Sequence, residues 1–295
     1  MKQHDSCGLP FGGQEALQFA QEPQIAVLPV PYDATTSFRG GTKEAPAAIL
    51  EASAQVELYD EELEWEPISA GVITLPVVEP DARGPQQTVE AVAGAAEEAL
   101  KQNLFLLTLG GEHTISLGPI YALARAGVQF DVVQIDAHAD MRDSYQNSPF
   151  SHACVMRRAL EHCRVVGVGI RSFSREEADF MKTRRIQPYT MRRIRQRPEW
   201  IDELVDSLGE RVYLSVDLDG FDPSVCPGVG TPEPGGLGWY EALELIRALT
   251  SRRRLVGADI VECIPQRLPP VSEFLAARLA YKIIGYYLSG RAKNE

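Results

Sequence analysis

The chain carries at residues 132–140 the sequence Val-Val-Gln-Ile-Asp-Ala-His-Ala-Asp, in which an apolar run leads into Asp136, His138 and Asp140. Side chains of a β-strand alternate between its two faces, so residues i, i+2 and i+4 point to one side. The spacing therefore predicts three potential metal ligands that face the same way at the end of a buried strand. A buried strand favours Val or Ile at such positions, so this pattern indicates a metal site.

A second acidic motif follows another apolar run. Residues 212–216 lead into Asp217 and Asp219, which again share one face of the chain. One Asp-x-Asp pair is common in turns and helix caps and would be weak evidence alone. Four carboxylates that converge at strand ends repel one another unless cations lie between them. The two motifs together predict a site for divalent ions with carboxylate and imidazole ligands, and they favour two ions over one.

Composition limits the domain organisation and the partners. The 295 residues, 44% hydrophobic and 24% charged, predict one globular α/β domain over residues 1–295, with residues 1–23 as an N-terminal extension. A formal charge of −12 argues against a nucleic-acid partner and is compatible with a small cationic substrate. The sequence shows neither a membrane span nor the apolar core of a signal peptide. Its five cysteines contain no CxxC pair, so we expect reduced thiols and a cytoplasmic protein.

Strand-like apolar runs alternate with helical patterns along the chain. The predicted strands lie at 25–30, 70–75, 104–109, 132–135, 165–170, near Ile186, at 212–216 and at 256–261. The predicted helices lie at 47–58, 88–101, 117–126, 153–161, 176–182, 199–208, 240–250 and 273–288. This alternation predicts a mainly parallel sheet covered by helices on both faces, with a closed eightfold barrel as the competing topology. In an open sheet of this kind, ligands bind at the carboxyl ends of the strands, where both acidic motifs fall.

Two loops add signals at the same edge of the predicted sheet. The sequence Gly-Gly-Glu-His at residues 110–113 follows the strand 104–109, and its glycines let the backbone turn sharply and approach another segment closely. His113 would then lie at the edge that carries the acidic motifs. The Pro- and Gly-rich stretch 227–236 predicts a restricted loop that forms a pocket wall, with a solvated connection as the alternative.

With these motifs assembled, the chain resembles the ureohydrolase family of arginases and agmatinases, and the agmatinases most closely. The segments that carry the resemblance are Gly-Gly-Glu-His-Thr at 110–114, Asp-Ala-His-Ala-Asp at 136–140, Ser-His-Ala at 151–153, Ser-Val-Asp-Leu-Asp-Gly-Phe-Asp-Pro at 215–223 and Gly-Thr-Pro-Glu-Pro-Gly-Gly at 230–236. The resemblance implies a three-layer α/β/α fold with an eight-stranded, mainly parallel sheet. It also implies two Mn²⁺ ions per chain and a homo-oligomer, either a trimer or a hexamer.

The resemblance assigns the metal ligands. Six residues match the family's ligand positions: His113, Asp136, His138, Asp140, Asp217 and Asp219. Asp136 and Asp217 would bridge the two ions, while His113 and Asp140 would complete the ligands of one ion and His138 and Asp219 those of the other. Two such ions lower the pKa of a shared water and present hydroxide to the guanidinium carbon near neutral pH.

Other matching residues surround the implied substrate. Asp140 would pass a proton to the leaving amine, and His152 would be a second proton-transfer residue at the pocket mouth. Glu262 would bind the guanidinium group, although without the family match a capping or surface role would fit it equally well. Thr231 would line the pocket. The resemblance thus implies catalytic roles for Asp140, His152 and Glu262, with His152, Thr231 and Glu262 contacting the substrate.

Ser172 bears on the choice of substrate. Arginases place an Asp after a Gly-hydrophobic-Arg segment to bind the substrate's α-amino group, whereas residues 169–172 here are Gly-Ile-Arg-Ser. Loss of that charged partner weakens discrimination in favour of arginine by on the order of 2 kcal/mol. We therefore expect hydrolysis of agmatine to putrescine and urea, a step of polyamine biosynthesis. Guanidinobutyrate, aminopropylagmatine and arginine are the alternative substrates.

Two other functional classes have to be weighed. Deacetylases that use a single zinc share the general fold, but they do not need His113 together with Asp140 and Asp219 for a second ion. A non-catalytic, metal-binding paralogue would have lost a ligand or a proton-transfer residue, and the sequence retains all of them. Both alternatives are therefore less favoured than a two-metal hydrolase of a small guanidino compound.

Overall fold

The structure is a computed structural model, and it describes residues 9–266 and 268–294. The strands are β1 Ile25–Val30, β2 Val72–Thr74, β3 Phe105–Gly110, β4 Asp131–Ile135, β5 Arg164–Ile170, β6 Tyr189–Thr190, β7 Arg211–Asp217 and β8 Arg254–Val261. They form one sheet in the order β2-β1-β3-β8-β7-β4-β5-β6, and all neighbouring strands run parallel. Because β2 and β6 are the two edges of this sheet, it is open and not a closed barrel.

Helices cover both faces of the sheet. They are α1 Ala45–Ser53, α2 Pro85–Lys101, α3 Leu117–Arg125, α4 Val155–Ala159, α5 Arg175–Arg184, α6 Met191–Gln196, α7 Trp200–Ser207, α8 Trp239–Arg252 and α9 Val271–Asn294. Consecutive residues of β1 show the layering, since Val27 packs in the apolar cluster that contains α1 and α9, whereas Leu28 packs in the one that contains α2. The expected three-layer α/β/α fold with an eight-stranded parallel sheet is confirmed. Among the described helices, none has the length and apolar character that spanning a bilayer requires.

Most predicted elements lie within a few residues of the observed ones, and the exceptions have local causes. The strand expected near Ile186 is β6, a two-residue edge strand at Tyr189–Thr190. The helix expected to run to Leu58 ends at Ser53, whose hydroxyl donates to the Leu50 carbonyl and accepts from a backbone N–H of the N-terminal segment. The short α6 was not expected, because its Met-Arg-Arg-Ile-Arg-Gln sequence has too few apolar positions to show a helical period.

Part of the expected N-terminal extension packs on the domain. Residues 9–23 are described, and a 3-10 helix covers Gln14–Phe19. Phe11 and Ala16 are buried, and the backbone N–H of Phe11 donates to the Thr74 hydroxyl at 2.9 Å. This segment therefore contributes apolar contacts beside β2. The prediction of a single domain over 1–295 stays a prediction.

A buried lysine attaches α9 to the segment after α1. Lys282 is 2% exposed, and its Nζ lies 2.9 Å from Oδ1 of the fully buried Asp60 and 3.2 Å from Oε2 of Glu62. Tyr286 donates a hydrogen bond to the same Glu62 carboxylate. The long C-terminal helix is thus held by paired charges as well as by apolar packing.

Candidate metal centre and cleft

The Asp-Ala-His-Ala-Asp motif lies just beyond the end of β4, which stops at Ile135. The expectation that its three ligands share one strand face is therefore wrong in detail, because the motif forms a loop. The side chains converge through the loop's own geometry. Asp136 keeps one strand-like hydrogen bond, from its N–H to the Val168 carbonyl, and Asp140 turns back with a left-handed backbone at φ 52°. A left-handed backbone at a non-glycine residue is uncommon and clusters at functional sites.

One imidazole faces three carboxylates. The Nδ1 atom of His113 lies 3.1 Å from Asp136 Oδ2, 3.0 Å from Asp140 Oδ2 and 3.4 Å from Asp217 Oδ2. His113 and Asp136 are fully buried, and Asp140 and Asp217 are at most 5% exposed. Side chains that follow three different strands, β3, β4 and β7, therefore meet at one point.

A second group overlaps the first. The Nδ1 atom of His138 lies 2.9 Å from Asp219 Oδ2 and 3.7 Å from Asp136 Oδ1. His113, Asp136 and Asp140 can each direct one donor atom at a common ion, and so can Asp136, His138 and Asp219. Asp136 belongs to both groups. Asp217 is in neither group but contacts a member of each, since its Oδ2 lies 3.4 Å from His113 Nδ1 and its Oδ1 accepts the backbone N–H of Asp219 at 2.9 Å.

The charges of this cluster are unbalanced without cations. Burial and the neighbouring Asp136 raise the pKa of Asp140 to about 7, and burial and Asp219 raise the pKa of Asp217 well above its usual range. Burial opposes a charged imidazole, but the hydrogen bonds to Asp136 and Asp219 still raise the pKa of His138 to about 12. The raised pKa values mean that these side chains retain protons, whose positive charge offsets the crowded carboxylates. The cluster therefore favours bound positive charge.

The donor set fits divalent metal ions. Nδ1 of His113 is buried and makes no hydrogen bond within the described chain, although three carboxylates surround it. An imidazole nitrogen that faces carboxylate oxygens in this way is positioned to coordinate a metal ion together with them. Carboxylate oxygens with imidazole nitrogens suit borderline and hard ions such as Mn²⁺, Fe²⁺ and Zn²⁺, and the lack of thiolates argues against soft metals.

Buried polar residues in the strands hold these ligands in place. The Nε2 atom of His113 lies 2.9 Å from the Ser215 hydroxyl, which donates to Asp259 at 2.8 Å, and Tyr213 donates to the other oxygen of Asp259 at 2.7 Å. Gln134 donates to Asp136 at 2.7 Å. These supporting residues were missed in the sequence, where a polar residue inside an otherwise apolar strand is the available signal.

Two close approaches place His113 against the last strand. A Cβ atom at Gly111 would lie 1.9 Å from the Tyr32 carbonyl oxygen, so only glycine allows the loop after β3 to pass there. The backbone N–H of His113 donates to Glu262 Oε1 at 2.7 Å. Glu262 follows β8 with a left-handed backbone at φ 64°, and burial raises the pKa of its carboxyl well above the usual range.

Arg171 braces the loops around the second ligand group. Its guanidinium donates six hydrogen bonds to main-chain carbonyls, those of Gly169, Asp219, Gly220, Phe221, Glu233 and Pro234. Five N–H groups in a rigid planar fork suit this clustered recognition. Arg171 thereby ties the turn that carries Asp219 to the loop 227–236.

A cleft of about 280 Å³ opens above the ligand groups. Seven of the predicted site residues line it: His138, Asp140, His152, Asp217, Asp219, Thr231 and Glu262. His113 and Asp136 lie beneath this surface. Gly230 and Thr231 of the loop 227–236 form part of the wall, and the Thr231 hydroxyl donates to Asp219 at 3.2 Å. The cleft also contains Ser172. The loop 36–39 adds a further part of the wall, which no pattern in the sequence had indicated.

His152 lies at the side of the cleft and outside both ligand groups. Its backbone N–H donates to the Thr35 hydroxyl at 3.0 Å, and the same hydroxyl lies 3.3 Å from its ring Nδ1. Burial, together with the nearby charge of His113, lowers the pKa of His152 to about 4. Its imidazole is therefore neutral near pH 7.

The fold and the site define the class of protein: a three-layer α/β protein with a candidate metal centre at the carboxyl edge of a parallel sheet. The family model described as Arginase family matches residues 23–285, so this chain belongs to the arginase family. The resemblance drawn from the motifs is confirmed, and the chain is a hydrolase that acts on guanidino C–N bonds.

Individual relatives cover almost the whole chain. It is 42% identical over 293 residues to the N(1)-aminopropylagmatine ureohydrolase of Synechocystis sp., covering 96% of this chain and 95% of that protein. It is 38% identical to the agmatinase of Pyrococcus horikoshii, covering 90% and 92%. Among solved structures, the agmatine ureohydrolase of Thermoplasma volcanium superimposes with a TM-score of 0.85 at 33% identity, covering 93% of each chain.

Proposed function

We propose that this chain releases urea from a guanidinoalkylamine of the agmatine type, using two Mn²⁺ ions. The observation that carries the proposal is the pair of overlapping ligand groups that share Asp136 and lie under one cleft. Two divalent ions held by these ligands would lower the pKa of a bound water and so supply a nucleophile for the otherwise unreactive guanidinium carbon. A single-metal deacetylase would have no use for the second group of ligands.

The chain's own residues bind and orient the substrate. Glu262 is buried at the floor of the cleft, and a carboxylate there would hold the planar guanidinium through charge-assisted hydrogen bonds. Asp140, a member of the first ligand group, also lines the cleft, where it would pass a proton to the leaving nitrogen. His152, neutral near pH 7, would exchange protons at the cleft wall. The Thr231 hydroxyl, fixed by Asp219, would border the same space.

Features of the cleft favour agmatine-type amines over arginine. Ser172 lines the cleft, and its backbone is fixed by a hydrogen bond to the Ala137 carbonyl at 3.0 Å, so it offers a hydroxyl where arginases offer a carboxylate. The relatives named above act, by their names, on agmatine or on its aminopropyl derivative. We therefore propose both amines as substrates, and the 42% identical relative makes the aminopropyl derivative the first one to assay.

One observation favours a second candidate substrate, guanidinobutyrate. Arg39 is exposed at the rim of the cleft, and no carboxylate of the described residues forms an ion pair with it. Its guanidinium lies over the Phe38 ring, 5.7 Å from the ring centroid, and without a carboxylate partner it would suit a substrate whose tail ends in a carboxylate. Replacement of Arg39 by Gln separates the two candidates, because it should lower activity on guanidinobutyrate and leave or raise activity on the amines.

The test is urea release from a panel of purified compounds by the manganese-loaded enzyme. The panel contains agmatine, N1-aminopropylagmatine, guanidinobutyrate and arginine. We expect either amine to exceed arginine at least about a hundredfold in kcat/KM, which corresponds to nearly 3 kcal/mol. A preference for arginine would refute the substrate, and a stoichiometry of one tightly bound ion per chain would refute the two-metal centre.

Three further properties belong to this proposal. We propose manganese as the metal, one of the ions that carboxylate and imidazole ligands without thiolates suit. The described cysteines, Cys154, Cys163, Cys226 and Cys263, are all free, which supports a reducing compartment such as the cytoplasm. We also propose a homo-oligomer, a trimer or a hexamer, which light scattering on the purified protein would test.

A further inference from the structure

A chain of hydrogen bonds links a buried carboxylate to the ring of His152. Glu112 is fully buried, and its two oxygens accept from the backbone N–H and the hydroxyl of Thr35, each at 2.6 Å. The Thr114 hydroxyl donates to the same carboxylate at 2.8 Å. Three donors thus converge on Glu112 and hold Thr35 in a single orientation.

The hydroxyl of Thr35 has only one hydrogen, and its partners determine where that hydrogen goes. The 2.6 Å contact with Glu112 has the length of a charge-assisted O–H···O bond, so the hydrogen points to the carboxylate. The hydroxyl oxygen then faces His152 with lone pairs alone. It accepts the backbone N–H of His152 at 3.0 Å, and it lies 3.3 Å from the ring Nδ1.

We propose that Thr35, held by Glu112, is a positioning residue that fixes the proton of the His152 ring on Nδ1. A hydroxyl that has already donated its hydrogen can only accept, so the facing Nδ1 carries the proton. Nε2 is then left with its lone pair, and no described residue hydrogen-bonds to it. The neutral ring presents one defined nitrogen to the cleft, as a proton acceptor. The inference rests on the proposed function only in giving His152 a role in proton transfer.

Ser151 offers a built-in comparison. Its hydroxyl lies 3.4 Å from the same Nδ1, and it can either donate or accept there. If Ser151 decided the tautomer, it could donate to an unprotonated Nδ1 and leave the proton on Nε2. Removal of the hydroxyl that fixes the tautomer should therefore change the tautomer of His152, whereas removal of the other hydroxyl should leave it unchanged.

The test reads the tautomer directly, by ¹⁵N resonances of histidine-labelled enzyme loaded with diamagnetic Zn²⁺. Only five histidines occur in the sequence, and His152→Gln assigns the signal. We expect a protonated Nδ1 and an unprotonated Nε2 in the wild type and in Ser151→Ala. Thr35→Val, which keeps the shape and removes the hydroxyl, should give a mixture of tautomers. Thr35→Ser should restore the wild-type pattern.

A second variant and a kinetic readout accompany the spectra. Glu112→Gln places an NH₂ group against one of the two Thr35 donors and should also mix the tautomers. Thr35→Val should lower kcat by at least roughly tenfold with metal content unchanged, a fraction of what one proton-transfer group contributes. A wild-type proton on Nε2, or an unchanged tautomer in Thr35→Val, would overturn the inference. A wild-type proton on Nε2 refutes the inference even if the variants fail to fold, and it does so whether or not the substrate panel releases urea.

Discussion

Nδ1 of His113 lies 3.0 Å from Oδ2 of Asp140, although the strands that precede these residues are not neighbours in the sheet. His113 follows β3 and Asp140 follows β4, and the strand order places β8 and β7 between them. The contact therefore spans the carboxyl ends of two intervening strands. Each of these strands adds an acidic residue to the same space, Asp217 at the end of β7 and Glu262 after β8. This arrangement explains why the site depends on the order of the strands as much as on the motifs.

Asp217→Asn should remove the second metal ion and abolish measurable urea release. Asp217 lies 3.4 Å from His113 Nδ1 and accepts the backbone N–H of Asp219, so it contacts a member of each ligand group. An amide supplies no negative charge to offset two divalent ions at this buried position. Metal analysis of the purified variant should give one ion or fewer per chain. Asp202→Asn, the same change at an exposed carboxylate of α7 that pairs with Arg252, should keep two ions, and full activity with two ions in Asp217→Asn would contradict the bridging role.

His152→Ala should lower kcat by roughly a hundredfold, the usual loss when one proton-transfer group is removed. His152 lies in neither ligand group, so the metal content should stay at the wild-type value. Parallel measurement of kcat and of bound metal separates the two roles. Loss of metal in this variant would make His152 a ligand and would overturn its assignment as a proton-transfer residue.

The central strands could be predicted from the sequence, whereas the sheet edge could not. All six residues of β1 are buried, and a strand that is buried on both faces appears as a continuous apolar run. β6 contains only two residues, and its helical neighbour α6 gains its N-cap from Thr190, whose hydroxyl accepts the N–H of Arg193. Such short elements are determined by packing and capping, which leave no periodic pattern in the sequence.

The candidate ligands could also be predicted, because their spacing and their positions after apolar runs carry the signal. The residues that hold these ligands in place could not be predicted. Ser215 meets Asp259 because β7 and β8 pair in a register that places these two residues side by side, and sequence alone does not give that register. Thr35 belongs to the loop after β1, and its contact with Glu112 depends on the parallel pairing of β1 with β3.

Lys282→Met should lower the free energy of unfolding by about 3 kcal/mol, the lower end of the usual loss, because the buried Asp60 keeps only the more distant Arg278 guanidinium, at 3.9 Å, as a cationic neighbour. The pair is almost inaccessible to water, with 3% and 0% exposure of the two side chains. Lys101→Met is the matched control, since Lys101 pairs with Glu98 on the surface and should change stability by less than about 0.5 kcal/mol. Urea denaturation measures both. Equal, small effects would contradict the role given to the buried pair.

Chelation of the metals should destabilise the protein more strongly as the pH rises from 6 to 8. In the stripped protein, burial and neighbouring charge raise the pKa of Asp140 to about 7 and that of Asp217 well above the usual range. The folded state then binds more protons than the unfolded state above about pH 4, so its stability falls as the pH rises through these raised values. The raised pKa of His138 acts in the same direction.

The affinity for metal ions rises with pH, because the ligands must lose protons to bind. The difference in Tm between loaded and chelated protein should therefore grow from pH 6 to pH 8, as measured by thermal unfolding with and without added Mn²⁺. Titrations elsewhere in the chain are common to both samples and cancel in the difference. A difference that is constant or shrinks with pH would argue against a carboxylate-rich metal centre.

Ser172→Asp should shift the substrate preference toward arginine. Ser172 lines the cleft, and an isolated β-bridge between Ser172 and His138 fixes its backbone beside the ligand groups. A carboxylate at this position would therefore face the far end of the substrate. It would give the α-amino group of arginine a charged partner that the wild-type cleft lacks, and burying an unpaired charge is costly. We expect the ratio of kcat/KM for arginine to that for agmatine to rise about tenfold, or 1.4 kcal/mol. Ser172→Asn has the same size without the charge and should leave the ratio near the wild-type value. An equal shift in both variants, or none in Ser172→Asp, would show that Ser172 does not contact the part of the substrate that distinguishes arginine from agmatine.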